Sequence, residues 1–177
     1  MACSFVPFLN CDRSIVRPAR SKTLASARAL ALRMLARRDY SRLELATRLG
    51  ARGVSATEIA TMLDDFERLG YLSDQRYANA LVAQRVGHVG KRKIERDLHE
   101  KGIAGDAARE ALSGLAARDE LADALALWQR RFGHAPLDER DKARQVRYLV
   151  SRGFSASIAF RVLRAAGART DDDSPIS

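Results

Sequence analysis

Between residues 24 and 169, apolar side chains recur at intervals of three and four. That spacing gathers them on one face of an α-helix, and it predicts helix after helix rather than strands. Ala, Leu, Arg and Glu dominate this stretch, and its single proline, Pro136, stands in a polar loop, GHAPLDER. The segments before and after lack the pattern: residues 1–23 are interrupted by Pro7 and Pro18, and the end, TDDDSPIS, is acidic and polar. Both read as disordered termini, an N-terminal extension over 1–24 and an acidic tail over 170–177.

Within the periodic region one hexapeptide pattern occurs three times. Leu49 to Val54 is LGARGV, Leu98 to Ile103 is LHEKGI, and Leu149 to Phe154 is LVSRGF. The common form is Leu-x-x-[Arg/Lys]-Gly-apolar, with glycines at 53, 102 and 153, spaced by 49 and 51 residues. Six residues beyond each glycine stand Ile59, Ala108 and Ala159; ten beyond stand Leu63, Leu112 and Leu163. A repeat of this length indicates a tandem array of small units.

The pattern describes one helix closing and another opening. Glycine takes the left-handed conformation that ends a helix without a Cβ penalty, and the basic residue before it suits the negative helix end. The apolar residue after it packs back on the helix just left. Ser55, Asp106 and Ser155 then stand where N-caps belong, and Ser55 with Glu58 makes a capping box. A further helix is predicted upstream of each pair, near 24–38, 74–87 and 118–132. The expected fold is therefore all-α: three tandem three-helix repeats, 25–73, 74–117 and 118–169, stacked into an elongated, curved array.

Two helices around a tight glycine turn are also the core of a winged helix-turn-helix, which would send residues 55–69 into a major groove. That helix carries Glu58, Asp64, Asp65 and Glu67, and its second-repeat counterpart carries Asp106 and Glu110. Both repel phosphates. Only the third, with Ser155, Ser157, Arg161 and Arg164, is chemically suited, and no alternating strand follows Leu72 to form a wing. The geometry is winged-helix-like without clear wings.

Charge then narrows the partners. The 177 residues hold 31 Lys and Arg against 22 Asp and Glu, a net +9, which points to nucleic acid or another anionic partner. Residues 28–73, 74–117 and 118–170 carry +2, +2 and +5. Arg140, Arg144 and Arg147 recur at i, i+4 and i+7 on one side of a helix, with Val146, Leu149 and Val150 on the other. Lys91, Arg92, Lys93 and Arg96 crowd a helix start, where positive charge opposes the helix dipole. These seven residues and Arg152 are the candidate contacts to phosphate or to an acidic protein surface, and Arg152 equally suits a helix-end cap. Aromatic residues are 6% of the chain, and Tyr71, Tyr77, Trp128, Phe132 and Phe154 fall at core spacings, so stacking platforms are not expected.

Catalysis, cofactors and metals find no support. GHVGKRK (87–93) follows no strand and reads as a loop between helices rather than a phosphate loop. His88, His99 and His134 are scattered, and the two cysteines, Cys3 and Cys11, lie in the N-terminal segment. Asp64-Asp65 and the tail aspartates read as solvated surface. Cysteine-free repeats fit a reducing cytoplasm, and no stretch approaches the roughly 18 apolar residues of a membrane span. MACSFVPFLNCDRS is a poor secretory signal, whereas Arg13, Arg17, Arg20 and Lys22 would also fit an organelle transit peptide.

Four segments, RDYSRLELATRLGARGV (38–54), LGYLSDQRYA (69–78), GKRKIERDLHEKGI (90–103) and SRGFS (151–155), together resemble the RecX family, regulators of the RecA recombinase. The resemblance spans about residues 25–167. It implies a non-enzymatic, all-helical protein of three three-helix repeats that lies in the groove of the RecA–DNA filament. There it would restrain ATP hydrolysis, strand exchange and co-protease activity. The family supplies no catalytic residues, so the candidate contacts rest on charge geometry alone. The competing expectation is a helix-turn-helix regulator that binds DNA without RecA. A monomer that touches DNA without sequence preference is expected in the first case.

Overall fold

The computed structural model describes residues 19–115 and 118–171, the side chains of 19–23 and 168–171 excepted. All the regular structure among these residues is helical. The first repeat comprises α1 (Ala19–Leu35), α2 (Arg42–Gly50) and α3 (Ala56–Arg68); the second α4 (Asp74–Arg85), α5 (Lys91–Glu100) and α6 (Gly105–Ser113). The third comprises α7 (Glu120–Arg131), α8 (Glu139–Ser151) and α9 (Ala156–Asp171). Helix α1 starts at Ala19, inside the stretch expected to be an extension, and α9 reaches into the expected tail. The remainder of both segments lies outside the described residues.

The repeated hexapeptide is a Schellman closure at each occurrence. Gly53, Gly102 and Gly153 have φ of 79°, 77° and 94°. The N–H of the residue after each donates to the carbonyl of the pattern's leucine: Val54 to Leu49 at 3.4 Å, Ile103 to Leu98 at 3.0 Å, Phe154 to Leu149 at 3.2 Å. The glycine N–H groups close the inner ring, as Gly53 does to Gly50 at 2.9 Å. The leucine and the apolar residue thus meet over a closed helix end, which explains why both recur.

Helix starts follow the expectation twice out of three times. Ser55 and Glu58 form the reciprocal capping box, and the Ser155 hydroxyl accepts from the N–H of Ile158 at 3.2 Å. In the second repeat the cap falls on Ala104, with no side-chain bond, because Gly105 at φ 62° already begins α6. Asp106 sits in the first turn instead and pairs with Arg109.

Each repeat holds its own core. Leu45, Leu49, Leu63 and Phe66 fill the first; Ile94, Leu98 and Ile103 the second; Trp128, Leu149, Phe154 and Val162 the third. Burying side chains of this kind stabilises by about 1.5–3 kcal/mol each. The extensive helix–helix packing is within repeats, α2 on α3, α4 on α6, α7 and α8 on α9. One hydrophobic core running through the stack, as stacking alone would suggest, is therefore replaced by three cores joined at narrow contacts.

Tyr71 departs from its expected core role. It is 51% exposed, its ring edge resting on Phe66 with centroids 6.2 Å apart. Tyr77, Trp128 and Phe154 are buried as expected, and Phe132 is half-buried.

Candidate functional site

The turn glycines join the repeats. A Cβ on Gly102 would lie 2.8 Å from the Cβ of Leu43 on α2, so the second repeat's turn seats on the first repeat's helix. Gly153 meets Lys93 of α5 in the same way, at 2.5 Å from its Cβ and 2.7 Å from its backbone nitrogen. A Cβ on Gly53 would meet nothing within 4 Å among the described residues, so no neighbouring repeat among them seats on this turn. The first joint adds ion pairs and caps: Arg76 to Asp39 at 2.8 Å, and the N–H of Arg42 to Asp74 at 2.8 Å. The second adds the N–H of Gly90 to the carbonyl of Arg152 at 2.9 Å and that of Lys91 to Glu120 at 3.3 Å.

These joints divide the candidate contact residues. Lys93 is half-buried against Gly153, with its ammonium 3.6 Å from Asp97, a carboxylate only 9% exposed. Arg85 reaches the other oxygen of Asp97 at 3.4 Å. Lys91 is exposed and 3.8 Å from Glu95. Arg92 and Arg96 are exposed at i and i+4 on the outer side of α5 and pair with no acid among the described residues. The α5 cluster therefore separates into two lysines with local partners and two free arginines.

On α8 the inward side is set by a polar bridge. Gln145 is completely buried; its carbonyl accepts from the Trp128 indole N–H at 2.7 Å and its amide donates to Asp141 at 2.9 Å. Fixing Gln145 inward turns Arg140 and Arg147 outward, because those positions lie on the opposite side of a 3.6-residue helix. Both are exposed and unpaired among the described residues. Arg144 is engaged, 2.6 Å from Asp141 and 5.6 Å above the centre of the Phe132 ring. Arg152 lies 5.2 Å over Tyr148. Of the eight candidates, then, four arginines are free and exposed, Arg92, Arg96, Arg140 and Arg147.

Asp64 and Asp65 lie at the surface, as expected, and both have basic partners there. Asp64 pairs with Arg42 at 2.6 Å, and Asp65 with Arg68 at 2.7 Å and Arg28 at 3.4 Å. On the helix that would enter a groove in a helix-turn-helix, these acids thus pair with arginines of their own repeat. No group of three or more His, Cys, Asp or Glu able to hold a metal occurs among the described residues, nor does any helix long and apolar enough to cross a membrane.

Sequence reasoning overlooked Phe160. Its side chain is 45% exposed on the outer side of α9, beside Arg161 and Arg164. The signal was available: seven residues past the turn glycine, the other repeats have Ala60 and Arg109, both exposed.

Three family models match in order along the chain: RecX first three-helix domain over residues 27–66, second over 73–112 and third over 118–163. Regulatory protein RecX of Leptothrix cholodnii is 40% identical over 155 residues, covering 88% of this chain and 98% of that protein. Regulatory protein RecX of Chromohalobacter salexigens is 42% identical over 131 residues, covering 73% of this chain and 86% of its own. Among solved structures, RecX from Lactobacillus salivarius superposes with a TM-score of 0.67 at 19% identity over 84% of this chain and 99% of that one. A second crystal structure of regulatory protein RecX gives 0.70 at 20% identity over 83% of this chain and 74% of its own.

Proposed function

The chain belongs to the RecX family, and on that premise we propose that it binds the RecA–DNA filament as a monomer and restrains RecA. ATP hydrolysis, strand exchange and co-protease activity are the processes held back, in the cytoplasm and without catalysis by this chain. The observation that carries the reading is the tandem arrangement: three like units in one chain, joined by narrow contacts, match a partner that repeats along its length. A protein that grips several identical subunits gains through effective concentration, since each further contact is intramolecular.

Arg92, Arg96, Arg140 and Arg147 are the proposed contacts to filament or DNA phosphate, because their charges are exposed and unspent inside the fold. Lys91 contributes at the rim. Lys93 sits at the joint between the second and third repeats, Arg144 and Arg152 are engaged within the third repeat, and all three serve the partner indirectly. Contacts of this electrostatic kind weaken steeply with salt and carry little sequence preference.

The test is ATP hydrolysis by RecA on saturating single-stranded DNA while this protein is titrated in. A fall well below one molecule per RecA subunit supports filament binding. A fall only when the protein rivals the DNA in amount means competition for phosphates. No change overturns the reading and leaves a helix-turn-helix regulator acting on duplex DNA, which should prefer one sequence over random duplex by several kcal/mol.

A further inference from the structure

The outer stripe of α9 belongs to neither basic stretch assigned above. Ser157, Phe160, Arg161 and Arg164 follow at i, i+3, i+4 and i+7 and are all exposed. At 1.5 Å per residue they cover about 10 Å of helix. Ala159, Val162, Leu163 and Ala166 on the other side are buried in the third core. Neither Arg161 nor Arg164 pairs with an acid among the described residues, and α9 has no acidic residue before Asp171.

The other two repeats serve as internal controls. Counted from the turn glycine, Ser157 corresponds to Thr57 and Asp106, Phe160 to Ala60 and Arg109, Arg161 to Thr61 and Glu110, and Arg164 to Asp64 and Ser113. α3 and α6 close the same fold with no aromatic ring at these positions and a single arginine, Arg109, which pairs with Asp106, so the fold does not demand the combination. A single exposed apolar residue is ordinary on a protein surface. A half-exposed phenyl ring beside two free guanidiniums, on the one of the three helices α3, α6 and α9 that lacks acids before its last residue, is a combination with a use.

That use is decided by charge and shape. The two arginines select an anionic partner, and the ring selects one with flat, accessible faces. Unpaired nucleotides offer both: phosphates to the cations and a base face to the phenyl ring. In a duplex those faces are hidden in the stack and only base edges are exposed, for which a phenyl group has no hydrogen bond to offer.

We propose that the outer stripe of α9 binds single-stranded nucleic acid, with Phe160 stacking on an unpaired base while Arg161 and Arg164 hold the flanking phosphates. The proposal stands apart from the filament reading, because it needs no RecA.

Fluorescence anisotropy of the full chain with a labelled oligothymidylate, and with a mixed-sequence duplex of the same length, tests it over a salt series. Phe160→Ala should weaken single-strand binding about tenfold, near 1.4 kcal/mol, and duplex binding less than twofold. Phe160→Trp should keep single-strand affinity. Arg161→Gln with Arg164→Gln should flatten the slope of log K against log salt by about 1.4, at about 0.7 per phosphate contact. Circular dichroism of each variant checks the fold. Unchanged single-strand binding by Phe160→Ala overturns the proposal, as does no binding by the wild-type chain at low salt. An equal loss on duplex also overturns it and assigns α9 to a groove instead. Since the assay contains no RecA, loss of ATPase restraint in the earlier test leaves this result untouched, and the reverse holds.

Discussion

Gly90 donates its backbone N–H to the carbonyl of Arg152 at 2.9 Å, and the bond brings Gly90 against Gly153 across the second and third repeats. A Cβ on Gly90 would stand 2.5 Å from the Gly153 carbonyl carbon and oxygen. Gly90 can approach this closely only because it has no side chain, and a Cβ on Gly153 would strike Lys93 of α5. Gly153 therefore answers two demands, a positive φ to close α8 and an empty face to receive α5.

The three turn glycines should not be equivalent to mutation. Gly53→Ala strains only the positive φ and should cost about 1 kcal/mol. Gly153→Ala adds a collision with the backbone of Lys93 and should cost at least about 3 kcal/mol. Gly102→Val, facing Leu43 at a φ of 77°, should likewise damage folding rather than binding alone. Urea denaturation of the three variants ranks them, and equal losses would refute the joint.

Arginines along α8 should separate by role. Arg140→Ala and Arg147→Ala should leave stability within about 0.5 kcal/mol of wild type, as exposed substitutions usually do, yet weaken restraint of the RecA ATPase. Arg144→Ala should cost about 1 kcal/mol through its lost contacts to Asp141 and Phe132. Thermal melts alongside the ATPase titration measure both; restraint unaltered in the Arg140 and Arg147 variants, with the fold intact, removes the stripe from the interface.

Gln145 is the most vulnerable polar residue of the third repeat. Gln145→Ala opens a cavity and leaves the buried Trp128 indole N–H without its acceptor, so a loss of about 2–4 kcal/mol is expected. A shift in Trp128 emission should accompany it. A stable variant with unchanged emission would mean that the bridge contributes little.

Acid should loosen the first joint. Burial pushes the Glu44 carboxyl up, but the hydrogen bond from Arg38, with the charges of Arg38, Lys101 and Arg48, outweighs it and holds the group below its ordinary range. A pKa lower in the folded than in the unfolded state gives stability that is present above the ordinary glutamate value, about 4.3, and lost as pH falls through the lower folded value. Melting temperature should therefore drop below about pH 4, and Glu44→Gln should show a smaller drop from a lower starting point. Parallel curves for the two proteins would show that Glu44 takes no part.

Much of the fold is legible in the sequence because local rules determine it. Leu49, Gly53 and Val54 specify a helix closure among themselves, and Ser55 with Glu58 specifies the next start. Asp106 misled for an equally local reason: Gly105 adopts a positive φ and starts α6 two residues early, with the cap on Ala104. What the sequence conceals is contact over distance. Nothing near Gly90 announces Gly153, and nothing near Arg144 announces Phe132. The candidate surface was half legible for the same reason, since charge spacing finds arginines but not which of them are already engaged. Phe160 hid among core aromatics because helix spacing alone does not say which side of α9 meets the core.

Three separate cores have a consequence for how damage spreads. When the described contacts between neighbours are mainly a glycine seat and a few polar bonds, the chain behaves as vertebrae on a cord, its stability close to a sum of unit terms and two small coupling terms. A lesion in the third vertebra, such as a broken Trp128–Gln145 bond, should melt that unit while the first, held by Leu45, Leu49 and Phe66, stays folded. The same weak coupling lets each unit settle on its own patch of a partner without dragging the others out of place.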